Sequence, residues 1–279
     1  MKQNFICYLK YFFVFKYTER SDVMKEKIFG RIFAEKKPII GMIHVWRDEL
    51  GKQVCQALDD LEKLQPFVDG VIIENYGWGH YDSNLATDDC ERTIRIISNV
   101  VEGMSKIPVG INILPNDYIR AFRVAHESGC NFIQMDHIYG EFLHCSPVYP
   151  QHFMRTRDEF SHIAVLGGIH PKYYDLQDPK TPIEKSAKEA IKLADAIVVT
   201  GKYTGGEARL EDLKKVKSVI GDTPLIIGSG LNIRNIGVQM AIADGAIVGT
   251  ALKRRGVVKG EPVDADMTEA LMKEVKKLR

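Results

Sequence analysis

From residue 38 onward the chain alternates two kinds of segment: short runs rich in Ile and Val, and longer stretches with helical spacing. The apolar runs fall at 38–45, 70–74, 108–113, 131–136, 162–167, 194–200, 224–228 and 245–249. Continuous apolar runs this short suit strands buried on both faces, as a parallel sheet covered by helices demands. Between them, Val54, Ala57, Leu58, Leu61 and Leu64 repeat at three- and four-residue steps and form one apolar stripe. Thr87 is placed to cap a helix carrying Ile94, Ile97 and Val101, with Asp88, Asp89 and Glu91 in its first turn. Gly129 reads as a helix stop, and a last helix starts near Asp264. Eight such strand–helix units in roughly 240 residues predict an α/β fold, a closed (β/α)8 TIM barrel of ~250 residues. A doubly wound open sheet would carry a GxGxxG turn after its first strand, where this chain has His44-Val45-Trp46. The expected organisation is an N-terminal extension over residues 1–37 and a single barrel over 38–279.

Composition narrows the function. The chain carries 38 Lys+Arg against 37 Asp+Glu, so no broad basic field exists to bind nucleic acid. Five cysteines, odd in number and without a CxxC, point to a reducing cytoplasm rather than a disulfide framework. Residues 1–17 are dense in aromatics, but the apolar run at 5–15 is about half the ~20 residues of a transmembrane span, and Lys10 interrupts it. Two readings stay open: a peripheral membrane contact with Lys2, Lys10 and Lys16 snorkelling beside the rings, or an upstream extension outside the fold, with Met24 an internal start. Removing residues 1–23 subtracts four basic and two acidic side chains, so the remainder is itself nearly neutral. A homo-oligomeric state is left open.

In a barrel the chemistry lies on the loops after the strands. Glu74 and Asp136 each end an apolar run, where an unpartnered carboxylate is costly. General acid–base work is one reading. A structural salt bridge to Lys172 or Lys202 is the other. Asn75 and Asn112 supply neutral hydrogen bonds for orienting a substrate, and His44 ends the first strand. Glycines cluster after the last three strands: Gly201 with Thr204 and Gly205, then Gly228-Ser229-Gly230, then Gly249-Thr250. Such loops let backbone N–H groups approach a phosphate, or merely make tight turns. A metal site is not expected, because His44, His80, His137, His144, Cys145 and His170 show no HxH, HxxxH or CxxC spacing. The adjacent His144 and Cys145 need not face each other as a nucleophilic pair. No cofactor is expected. Lys253-Arg254-Arg255 with Lys259 forms a basic cluster that either surrounds a phosphate or is simply a solvated face.

Four blocks carry a resemblance: VDGVIIENYG at 68–77, PVGINILPND at 108–117, ADAIVVTGKYTGG at 194–206 with LEDL, and PLIIGSGLNIRNI…ADGAIVGTALKRRG at 224–256. They resemble the BtpA/SgcQ family, assigned to the ribulose-phosphate-binding barrels. The resemblance implies a (β/α)8 barrel holding a phosphorylated small molecule, a sugar phosphate or nucleotide-like compound, on which an isomerase, lyase or transferase would act. It also implies a second reading, a non-catalytic assembly factor, membrane-peripheral, as in photosystem I biogenesis. The matching motif residues are Glu74, Asn75, Asn112, Asn116, Asp117, Gly201, Thr204, Gly205, Gly228, Ser229, Gly230 and Lys253. The chain departs from the family's pattern after strands one, four and five. The family's Pro-rich first loop is Val45-Trp46-Arg47-Asp48-Glu49, its strand-four Asn is Asp136, and a carboxylate expected in strand five is missing from Leu166-Gly167-Gly168.

Overall fold

The computed structural model describes residues 28–78, 85–256, 258 and 260–279. The aromatic segment 1–17, His80 and Lys259 lie outside them. Strands β1 (Ile39–His44), β2 (Gly70–Glu74), β3 (Val109–Asn112), β4 (Phe132–Met135), β5 (Ala164–Ile169), β6 (Ala196–Val199), β7 (Leu225–Ile227) and β8 (Gly245–Val248) pair in sequence order and close into a parallel barrel. Among the described residues eight α-helices alternate with them: α1 (Leu50–Leu64), α2 (Asp88–Met104), α3 (Tyr118–Ser128), α4 (Pro150–Glu159), α5 (Ile183–Ala190), α6 (Leu210–Lys217), α7 (Ile236–Met240) and α8 (Ala265–Lys276). Helix boundaries follow local chemistry. The Thr87 side chain accepts from the Cys90 N–H at 3.2 Å, and Asp264 accepts from the Met267 N–H at 3.0 Å. Gly129 ends α3 in the left-handed region at φ 75°.

Two cores result. One lies between strands and helices, where the apolar stripes of the helices meet the outward strand faces. The other fills the barrel with Ile40, Met42, Ile72, Phe132, Leu166, Val198, Ile226 and Ile247. Its floor is closed by residues that precede β1: Phe29 and Phe33 join this inner cluster, and Phe33 meets Phe132 edge-on at 5.4 Å. Small residues make room for these rings. A Cβ on Gly110 would lie 2.2 Å from Phe132 Cε2, and one on Gly70 would lie 2.9 Å from Phe33 Cε1.

Strand five departs from its expected bounds. The run at 162–167 is displaced to Ala164–Ile169, because Gly167 and Gly168 do not stop the strand but continue it. A Cβ on Gly168 would stand 1.9 Å from the Asp136 carbonyl oxygen, so glycine here lets β5 run close beside the end of β4. Beyond the strand, Pro171 and Lys172 line a cavity at the mouth, while His170 turns its Nε2 to Ser186 Oγ at 2.9 Å.

Phe132 is fully buried and braced by Phe33, so it has nowhere to retreat. Gly110→Ala is accordingly expected to lower the unfolding free energy by about 3 kcal/mol. Adding Phe132→Leu should recover part of the loss, read from urea unfolding of the single and double variants.

Candidate active site

Main-chain register sets one row of polar side chains. His44 pairs with Glu74 across β1–β2, and Glu74 pairs with Asn112 across β2–β3, so three C-terminal strand residues sit at one level. Each lies two positions beyond an inward-facing residue and therefore faces the mouth from inside the barrel. The β3–β4 register brings Gln134 level with Asn112, and Asp136, two positions further on and just past β4, stands above that row. The fully buried Asn112 joins the two acids: its Nδ2 donates to Glu74 Oε2 at 2.8 Å and to Asp136 Oδ1 at 3.3 Å. Tyr174 donates its hydroxyl to Asp136 Oδ2 at 3.2 Å. His44 Nε2 stands 3.9 Å from Glu74 Oε1, and the Tyr76 ring meets the imidazole edge-on at 5.3 Å.

Burial dominates the electrostatics. Desolvation and then the neighbouring Asp136 push the Glu74 carboxyl from its ordinary 4.5 up to about 7, against the opposing pull of Lys172 and the Asn112 amide. Burial also raises Asp136, again opposed by Lys172. Both carboxyls are therefore shifted toward the neutral form. His44 is held neutral by burial and by the positive charges of Lys253 and Lys172. No lysine comes within the 4.0 Å of an ion pair to Glu74 or Asp136 among the described residues, so the salt-bridge reading of these carboxylates does not describe the structure.

The glycine loops form the facing wall. Gly205, Gly228, Ser229, Gly230, Gly249 and Thr250 line the same cavity of about 640 Å³ as His44, Glu74 and Asp136. These loops follow β6, β7 and β8, across the barrel from β2–β4. Two of the expected ligand-binding hydroxyls are already committed. Ser229 Oγ accepts from the Gly201 N–H at 2.8 Å and donates to the Gly206 carbonyl at 3.0 Å, which fastens the loop after β6 to the loop after β7. Thr204 Oγ1 meets the hydroxyls of Tyr76 at 3.2 Å and Tyr173 at 3.0 Å. Gly201 and Gly230 serve close packing, since a Cβ on either would fall within 2.3 Å of the Gly206 carbonyl oxygen. What this wall offers a ligand is therefore backbone.

Other expected residues stand elsewhere. Asn75 is fully buried, with Nδ2 donating to the Leu114 carbonyl at 2.9 Å and Oδ1 accepting from the Leu114 N–H at 2.7 Å; it braces the loop after β3 and does not reach the cavity. Asn116 does the same for His137, and Asp117 caps α3 and pairs with Arg120. Lys253 turns its Nζ to the Glu261 carbonyl at 2.6 Å. Helix α7 starts only at Ile236, after Asn232 and Asn235 have both donated to the Gly230 carbonyl, so no helix opens directly on the glycine turn. Cys145 Sγ approaches His137 Nε2 at 3.6 Å, but burial lowers the imidazole to about 4 and raises the thiol, which disfavours an ion pair. Among the described residues no three His, Cys, Asp or Glu side chains gather in a way that could hold a metal ion. None of their helices is long and apolar enough to cross a membrane.

Lys172 was legible only as a candidate salt-bridge partner, and Tyr174 and Tyr76 were not legible as site residues. The first two follow β5, whose true end lies beyond the glycine pair, and Tyr76 lies in a short 3-10 turn after β2.

A closed eight-stranded parallel barrel with buried carboxylates and a glycine wall at its C-terminal mouth defines a (β/α)8 scaffold. The chain belongs to the BtpA family, whose model matches residues 35–277. It is 31% identical over 261 residues to an uncharacterized protein of Pyrococcus horikoshii, covering 87% of this chain and 97% of the relative. It is 27% identical to the photosystem I biogenesis protein BtpA of Synechocystis, covering 83% and 85% of the two chains. Among solved structures, phosphoribosyl anthranilate isomerase from Thermococcus kodakaraensis shares the fold at a TM-score of 0.56 and 17% identity, over 86% of this chain and 99% of its own.

The raised Glu74 carboxyl has a sign that stability reports. A carboxyl whose folded pKa lies above its unfolded one contributes stability fully below pH 4.5 and loses that contribution as pH rises through about 7. Wild-type stability is therefore expected to fall relative to Glu74→Gln across that window in chemical denaturation. Parallel curves for the two chains would remove the assignment.

Proposed function

We propose that this barrel binds a small phosphorylated molecule, a sugar phosphate or nucleotide-like compound, at its C-terminal mouth and moves a proton on it. The observation that carries the reading is the pairing, in one cavity of about 640 Å³, of the Glu74–Asp136 acids with a facing wall of glycine backbone. A glycine presents only its peptide groups, and peptide N–H groups at close approach suit a phosphate oxygen. The phosphate would rest against Gly205, Gly230, Gly249 and Thr250. Arg234, at the rim of the same cavity, adds positive charge. The rest of the ligand then extends across the barrel towards β2–β4. The solved barrel named above is by its name an isomerase of a phosphoribosyl compound, which agrees with this reading.

Glu74 carries the chemistry. A carboxyl that titrates near neutrality is present in both protonation states, so it can take a proton from one ligand atom and return it to another. Asp136, held by Tyr174 and Asn112, keeps the site's negative charge and sets the Glu74 proton affinity. Asn112 fixes the spacing of the two acids. Proton transfer of this kind serves isomerases and lyases alike.

Thermal-shift measurements over phosphorylated sugars and nucleotides, each beside its dephosphorylated counterpart, test the binding. Phosphorylated compounds are expected to raise Tm and their counterparts to leave it unmoved. For a compound that binds, Glu74→Gln should retain the Tm shift while turnover followed by phosphorus NMR drops by about 10²–10⁴-fold. Equal shifts with and without the phosphate group would overturn the reading.

A further inference from the structure

Among the described cations that line the cavity, Lys172 is set apart from Lys253, Arg254 and Arg255 by having no side-chain partner, and from the likewise unpaired Arg234 by being half-buried rather than exposed. It lines the same cavity as Glu74, Asp136 and His44, and its charge is felt at all three. Yet among the described residues its Nζ makes no hydrogen bond and no ion pair within 4.0 Å. Arg254 and Arg255, by contrast, hold Asp264 and Glu261, and the Lys253 ammonium is taken by a carbonyl. Lys172 is a half-buried amine on the same cavity as these acid–base groups and is bound to none of them.

The loop that carries it is shaped at some cost. His170 at φ 45° and Tyr173 at φ 70° both lie in the left-handed region, which sterics disfavour for residues other than glycine. Contacts on three sides hold them there. His170 Nε2 lies 2.9 Å from Ser186 Oγ, the Lys172 backbone N–H donates to Thr200 Oγ1 at 3.3 Å, and Tyr174 reaches Asp136. Lys172 is thus fixed through its backbone to β6 while its side chain is left unpaired.

We infer that Lys172 is the reactive amine of this site and forms an imine with the carbonyl carbon of a phosphorylated aldehyde or ketone. The inference rests on the phosphate reading above, because the glycine wall is what would aim the carbonyl at the amine. The step balances without a co-reactant. The ammonium gives one proton to the carboxylate of Glu74, and the freed lone pair bonds to the carbonyl carbon. The carbonyl oxygen takes the electron pair of its broken π bond, gathers two protons and leaves as water. Both protons come from the original ammonium, one directly and one by way of Glu74, so an ammonium and a carbonyl become a protonated imine and one water. The imine nitrogen then draws electrons from the adjacent carbon, where breaking a C–H or C–C bond becomes accessible. This narrows the reaction to isomerisation or carbon–carbon lysis of a phosphorylated carbonyl compound.

Pyridoxal 5′-phosphate joins an aldehyde and a phosphate on one small molecule and is the probe. The full chain is treated with it at limiting reagent, reduced with borohydride to make any imine permanent, and mapped by peptide mass. The expected result is label concentrated on Lys172, slowed by inorganic phosphate and lost in Lys172→Arg. Label spread over exposed lysines, with Lys172 marked no more than they are, would overturn the inference; the wild-type map alone decides this even if the variant folds poorly. If Lys172 is labelled but inorganic phosphate gives no protection, the amine stands and the phosphate wall fails. If inorganic phosphate raises Tm while Lys172 stays unlabelled, the phosphate wall stands and the amine fails.

Discussion

The inside of an eight-stranded barrel is just wide enough to be filled by side chains, and that limited volume governs this molecule. Phe132 and the rings of Phe29 and Phe33 occupy the lower part, admitted by the missing side chains of Gly110 and Gly70. With the floor filled by rings, polar side chains find room at the C-terminal end of the strands. There the register of β1, β2 and β3 sets His44, Glu74 and Asn112 level with one another. The acid–base row follows from how the barrel is packed beneath it.

Burying two carboxylates side by side is unfavourable, and the structure offsets the cost in three ways. Asn112 donates to both acids, Tyr174 donates to Asp136, and burial favours the neutral form of each carboxyl. Lys172 contributes its charge from beyond contact distance. A fully formed salt bridge would have stabilised the acids further and removed them from chemistry. The arrangement instead leaves the Glu74 carboxyl raised by burial and Lys172 unpaired among the described residues, as the proposed proton transfer would need.

The opposite wall is built on a different economy. Ser229 and Thr204 spend their hydroxyls on neighbouring loops, and Gly201, Gly206 and Gly230 pack so closely that their backbones nearly touch. The result is a rigid surface of peptide groups set by loop-to-loop contacts. A hydroxyl that reads in one dimension as a ligand contact here organises the glycines beside it. Rigidity of this kind is what the proposed phosphate site requires, since its backbone would be formed before a ligand arrives.

Alternating apolar runs and amphipathic stripes were sufficient for the barrel, because both periodicities are local and a parallel sheet admits few other ways to bury them. The helix caps at Thr87, Gly129 and Asp264 were equally legible, since a cap is a short-range contact between a side chain and its own backbone. Glu74, Asp136 and the glycine loops were visible as strand-end residues, which in a barrel must share one face. What the chain alone could not show was partnership. Asn75 and Asn112 look alike in sequence, yet Asn75 is used up by Leu114, while Asn112 bridges the two acids; only the relative placement of β2, β3 and β4 separates them. The true end of β5 depended on how closely Gly168 passes the Asp136 carbonyl, a contact between different strands, and that contact brought Lys172 to the mouth. Sequence by itself determined which residues lie at the functional end, because that follows from strand direction. Tertiary structure decided which of them remain unpaired there, because hydrogen bonding and desolvation depend on neighbours distant in the chain.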